Sequence, residues 1–434
     1  MWSTRFVART AAVGIAVCAC PSGGAWEINY SVDMAFGYSD NINQVPENPS
    51  GSAILIPRLN FDFREQGASL DARATGQVEY RAYSSNQASN EFRGQVAALA
   101  NWIIYPRRLS FDFEEYAGVE PVNLLAPNAP ANTQQTNVFT LGPTFNFRFA
   151  QTLNGEVDLR YTNTSASQSK EFNSNRGLAA LRMVKELSPL DKLSFNAEYQ
   201  TINFTDPTGG PDYDRFDTYL RYEKKLTELD IDLLGGYTWL DFTGHPNDSG
   251  PLARAAVTWH ATPSNAFTFA ALRRFADASQ DIVIDPSALI QSITGSGIIV
   301  GSTPVDSDVY LERRADVRWD WQTVRWHTYV APYFRKLDYV IDPTLDQKSH
   351  GALAGVSYKP RPLWTLAFDA YEETRKYSTL ARRDEDLRLD LSFTDQLSRH
   401  WSGRIDLIRN ERNSDAPLQG FKENVVFLTL IFTR

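Results

Sequence analysis

Cysteine is almost missing from this chain: two occur in 434 residues, Cys18 and Cys20, both near the start. Without them no disulfide-stapled extracellular domain can be built, and a zinc cluster has little to draw on. Histidine is nearly as scarce. His245, His260, His327, His350 and His400 show neither an HExxH arrangement nor any other metal-ligand spacing. There is no G-x-G-x-x-G or P-loop in a strand-to-helix setting, and no serine is set by a motif beside His327 to make a triad. No catalytic residue, cofactor-binding residue or metal ligand is therefore expected. Long apolar runs are lacking too. Beyond the N-terminus nothing approaches the roughly 20 consecutive apolar residues of a spanning helix, and the mean hydropathy is -0.37. Excess positive charge is also absent: the formal net charge is -9, which argues against nucleic acid as a partner.

The first residues read as an export segment. Arg5 and Arg9 precede the short apolar core Thr10 to Cys20, and Gly23 and Ala25 offer small residues for cleavage before Trp26. Residues 1–25 are thus expected to be a cleaved signal peptide, with 26–434 as one domain. Val17 to Cys20 also loosely fits a lipoprotein box, which leaves the mode of processing open.

What the chain does have is alternation. In Leu153 to Ser165, Val157, Leu159 and Tyr161 oppose Glu156, Asp158, Arg160 and Thr162. Arg382 to Thr394, Ser69 to Tyr83 and Tyr310 to Trp321 repeat the pattern. A helix cannot place charges at every second position and keep a clean apolar face; a strand can. Such segments recur about twenty times, within a range of eighteen to twenty-two, and the links between them alternate between short and long. Tight links such as YPRR after Ile104 and KPRP after Tyr358 contrast with SDNINQVPENPSGS or the run from Ser279 to Ser307. The expected fold is all-β: a transmembrane up-and-down antiparallel β-barrel with short periplasmic turns and long outer loops. Trp26, Trp102, Trp259, Trp326, Trp364 and Trp401 fall near strand ends, as girdle residues at a membrane boundary would.

Which rows face inward follows from parity. The candidate lumen lining is Arg160, Arg221, Arg314 and Arg318 with Asp158, Asp217 and Asp316, and with Tyr219, Tyr329, Tyr333 and Tyr371. One reading makes these structural ladders between strands; the other makes them the wall of a wet conduit whose tyrosines stack on sugars. The run from Ser279 to Ser307 is too apolar for a free loop. Asp285 and Pro286 suit a helix start over Ser287 to Ile293. Folded inward, Leu289, Ile290 and Ile293 would form an apolar constriction; folded upward, the same run would make a hairpin above the membrane.

Two resemblances add to this. The last stretch, Phe421 to Arg434, carries the apolar row Val426, Leu428, Leu430 and Phe432, and resembles the C-terminal insertion signal of bacterial outer-membrane barrels, although Thr433 and Arg434 follow the aromatic. The first loop reads GYSDNINQVPE, and its Tyr38, Asp40, Asn41 and Ile42 resemble the signature closing the first strand in exopolysaccharide-operon outer-membrane barrels of the EpsL type and related porin families. This resemblance implies an outer-membrane barrel porin that passes secreted exopolysaccharide by passive diffusion. A general small-solute porin and a closed structural or adhesive barrel are the alternatives. The partners implied are outer-membrane lipid, a polysaccharide cargo and the barrel-assembly machinery; the oligomeric state is left open.

Overall fold

The computed structural model describes residues 25–283 and 305–434. The expected export segment up to residue 24 and the apolar trio Leu289, Ile290 and Ile293 lie outside the described residues, as does the expected helix start at Asp285.

Period-two chains bury nothing as helices, so they extend and pair. The strands are β1 Ala25–Ser39, β2 Ser52–Gln66, β3 Leu70–Tyr83, β4 Glu91–Tyr105 and β5 Leu109–Pro121. Then follow β6 Thr133–Ala150, β7 Leu153–Ala166, β8 Ser174–Ser188, β9 Asp191–Phe204 and β10 Tyr213–Lys225. The second half holds β11 Leu229–Phe242, β12 Asp248–Thr262, β13 Asn265–Ala276, β14 Tyr310–Gln322 and β15 Trp326–Tyr339. The last are β16 Gln347–Arg361, β17 Trp364–Tyr377, β18 Arg382–Gln396, β19 Trp401–Ser414 and β20 Phe421–Thr433. Each pairs antiparallel with its sequence neighbours, and β1 meets β20 from Ser31↔Thr433 to Ser39↔Val425. The result is a closed 20-stranded up-and-down transmembrane barrel.

Short links such as 106–108, 189–190 and 362–363 gather at one end, the turn end, together with the start of β1 and the end of β20. Longer links such as 40–51, 122–132 and 277–309 gather at the other, the loop end. Strands run further into this end than the turn residues alone suggest. β6 begins at Thr133, directly after the long link, and Gln134 to Thr136 still pair with Glu120 to Gly118. Ladder hydrogen bonds persist above the apolar band, since a paired backbone is no worse off there than a wet one.

Outside, one row of every strand is apolar and open: Val32, Met34 and Phe36 on β1, Ile405 and Leu407 on β19, Val426, Leu428 and Leu430 on β20. So large a continuous apolar surface suits hydrocarbon, not water. Stacked pairs near the turn end, Trp259 on Phe267 and Trp326 on Tyr358, mark one boundary. Inside, among the described residues, buried apolar clusters gather at the loop end. Ala35, Ile54 and Ile56 receive Ile42 and Ala88 from two loops, while Tyr310, Leu337 and Tyr339 form another group.

Candidate functional site: the lumen and its inward-folded mouth

At mid-height the inner wall is polar, and its charges are paired both along single strands and between neighbouring ones. Arg160 donates to Asp112 at 2.6 Å and to Asp158 at 3.1 Å, with Thr144 in the same knot. Arg221 forks onto Asp232 at 2.9 and 3.1 Å, and Arg254 reaches the same carboxylate at 2.6 Å. Tyr219 donates to Glu198, and Asp217 accepts from Arg215. Arg314 holds Asp316 at 2.7 Å, and Arg318 holds Asp320 while its guanidinium lies 4.6 Å from the Tyr329 ring centre. All eleven residues read as lining from the sequence stand on the inward row.

Missing side chains matter as much in one sector. Tyr329 and Tyr333 sit on β15, yet their hydroxyls reach across β16 to Asp369 and Glu373 on β17. They can do so because β16 presents Gly355 and Gly351 beneath them: a Cβ at Gly355 would overlap the Tyr329 ring, and one at Gly351 would crowd the Tyr333 hydroxyl. Tyr371 and Arg375 complete the set on Glu373, at 2.7 and 2.8 Å. The tyrosine rings are thus fixed flat along the wall by carboxylates.

At the loop end the chain turns into the barrel. After β13, Asp277 caps a short helix, α1 Ala278–Ile282, by accepting from the Ser279 amide at 2.9 Å. Asp277 also accepts from Arg176 of β8 at 2.6 Å and from the Tyr213 hydroxyl of β10 at 2.8 Å. Burial alone would push its carboxyl up; Arg176 and the hydroxyls of Ser279 and Tyr213 outweigh this and hold it below the ordinary carboxylate range. One turn on, Asp281 bonds Arg335 at 2.6 Å and accepts from the Tyr310 hydroxyl, while Glu312 joins Arg274 and Arg335. Ala278 and Ile282, with Val305 from the returning chain, pack against Ala97, Tyr116, Val138, Ala166 and Phe172 of β4 to β7 and their loops. These strands are far from β13 around the sheet, so α1 crosses the lumen. A second crossing comes from earlier in the chain: the carbonyls of Leu125 and Ala126, in the link after β5, accept from Arg382 and Arg412 on β18 and β19.

The first-loop motif does something local. Asp40 accepts from the backbone and side-chain amides of Asn424, both at 2.7 Å. Buried Asn41 donates to the carbonyls of Val45 and Lys422, and Ile42 packs on Ile54 and Ile56. Together they fasten β1 to β20 where their ladder ends. Tyr38 faces outward. Among the described residues, sequence reading missed Asp277, Arg176 and Tyr213. The only signal was the capping pair Asp277 and Ser279; nothing local reveals that Arg176 waits on the far wall. His327, 3.7 Å from Asp320, stands in the lumen near the turn end.

A closed sheet with an apolar exterior and a polar interior is a transmembrane barrel of the outer-membrane type. No family model and no curated protein matches the chain. Among solved structures it is similar to the siderophore receptor PirA from Pseudomonas aeruginosa, at 12% identity and TM-score 0.45, over 94% of this chain and 80% of that one. It is similar also to the FrpB iron transporter from Neisseria meningitidis, at 10% identity and TM-score 0.47, over 95% of this chain and 83% of that one. OccAB4 from Acinetobacter baumannii gives 10% identity and TM-score 0.39, over 96% and 100% of the two chains. What this barrel can do is set by its own residues.

Proposed function

We propose that this barrel is a passive outer-membrane channel for hydrophilic cargo, and that the cargo is a secreted exopolysaccharide. One observation carries the channel. Arg314, Arg318 and Arg388 stand on the inward row, yet their side chains remain 41%, 43% and 40% exposed. Inward charges that open can only face water, and a barrel of this many strands encloses more space than side chains fill. For the cargo, flat, carboxylate-locked tyrosines among hydrogen-bonding arginines suit sugar rings, and the first-loop motif resembles that of exopolysaccharide-operon barrels. The inward-folded mouth makes the resting passage narrow at the loop end.

Single-channel recording in planar bilayers tests both levels. The folded barrel should conduct, and neutral or acidic oligosaccharides added at the turn end should block the current in a length-dependent way. Arg176→Met, which strips Asp277 of its buried counter-charge, should undock α1 and raise conductance. No current from correctly folded wild type and variant alike would sink the channel. Current untouched by oligosaccharides of any length would leave a small-solute porin.

A further inference from the structure

Strand register assembles a feature on the outer wall that no stretch of sequence contains. Near the loop end, Arg273 lies opposite Arg313, Arg313 opposite Lys336, Lys336 opposite Lys348, Lys348 opposite Lys376, and Lys376 opposite Arg383. Six cationic side chains from six consecutive strands, β13 to β18, thus stand in one row. Parity puts them on the face that carries Val317, Phe334, Phe368 and Leu391 outward. Lys348, Lys376 and Arg383 are exposed, and Arg313 keeps 43% of its side chain open.

Side chains directly opposite on paired strands lie about 4.5–5.5 Å apart at Cβ, and like charges there repel. A row of six is a standing electrostatic cost that an anion would remove. The chain itself removes only part of it. Asp338 pairs with Arg313 and Lys336, Glu385 pairs with Arg383, and the Arg273 guanidinium turns to the Pro251 carbonyl. Glu372 faces outward lower on β17. The central Lys348 and Lys376 point outward between these offsets. Near the loop ends of β8 to β11 the outward row carries Asn175 opposite Asn203 and Asp214 opposite Asp241, so the positive charge is a patch and not a ring.

Height and surroundings identify the anion. Lys336 lies two residues beyond exposed Phe334, about 7 Å at the rise of a strand, which is headgroup distance above an apolar band. Further down the wall, from β17 towards β20, Phe368, Leu389, Leu391, Leu407 and Val426 line a shallow exterior groove, with Asp40 and the Glu411-paired Arg409 at its rim. Cations above an apolar groove complement a phosphate joined to acyl chains. We infer that this row is a headgroup site for a phosphorylated lipid of the loop-side leaflet, with phosphates on Lys348 and Lys376 and acyl chains against the wall below. The inference rests on the membrane placement of the barrel, not on its conducting anything.

The test uses the full-length barrel folded in neutral detergent and titrated with diphosphoryl lipid A or with the same lipid stripped of phosphate. Wild type should bind the phosphorylated form at least about tenfold tighter, a gap of about 1.4 kcal/mol or more that narrows as salt rises. The triple variant Lys336→Gln, Lys348→Gln, Lys376→Gln should lose the gap while keeping its heat-shifted mobility and single-channel conductance. Equal binding of both lipids by wild type, or an unchanged gap in the folded triple variant, would overturn the site. Complete displacement of the lipid by low-millimolar inorganic phosphate would overturn it as well, in favour of a free-anion site. Conductance read on the same samples distinguishes failure of the lipid site from failure of the channel.

Discussion

Arg176 and Asp277 meet at 2.6 Å although 101 residues separate them, and both are almost wholly buried. A buried pair of this kind stabilises little against apolar packing, but removing one partner strands a charge. It therefore acts as a registry pin, fixing where α1 lands. The chain that returns to β14 brings carboxyls with the opposite behaviour. Burial pushes Asp306 up to about 7 and Asp308 up to about 6. Because these values exceed that of a free aspartate, the packed segment 305–309 holds protons that a loosened one would release. Its stabilisation is full below about pH 4, the ordinary aspartate value, and is lost as pH rises through 6 to 7. Asp277, held low, stays ionised across that range. Amides from Val305 to Val309 should thus exchange hydrogen faster at pH 8 than at pH 5 after correction for intrinsic rates. Replacing Asp306 and Asp308 with Asn should remove the difference. An equal pH response in that variant would assign the effect elsewhere.

At the scale of elements, the first and last strands have the most to hold. Every other seam joins strands consecutive in the chain, whereas β1 and β20 meet through nine register pairs, Ser31↔Thr433 to Ser39↔Val425, with no connecting chain. The loop after β1 extends that seam: Asn41 satisfies the carbonyls of Val45 and Lys422, and Asp40 holds Asn424. Asn41→Ala deletes a buried side chain and leaves those half-buried carbonyls without it, at about 1 kcal/mol. The midpoint of urea unfolding in micelles should fall, and by more than for Asp40→Ala, whose hydrogen bonds are exposed. A midpoint equal to wild type for Asn41→Ala would show that the seam does not depend on the motif. The same motif gave the resemblance read from the sequence; its geometry supplies a structural reason for Asp, Asn and an apolar residue in that order.

For the whole molecule, the outer row faces hydrocarbon. Leu428 on β20 is 58% exposed on that row, so Leu428→Arg should destabilise the barrel folded in lipid vesicles by about 2–4 kcal/mol if it lies near the midplane. Insensitivity there would contradict a membrane-facing wall. The alternation that makes Leu428 an outside residue was legible in the sequence, and so were the strands, the barrel and the inward placement of Arg160, Asp217 or Tyr371. A strand repeats every two residues, so composition along the chain already says which side each residue takes. The loop crossings and the basic row were not legible. Lys336, Lys348 and Lys376 look like scattered charges in an acidic chain, and Arg176 looks like one more lumen residue. Their partners are fixed by register between strands and by where α1 docks. Periodicity sets the side a residue faces; only the folded register sets what stands beside it.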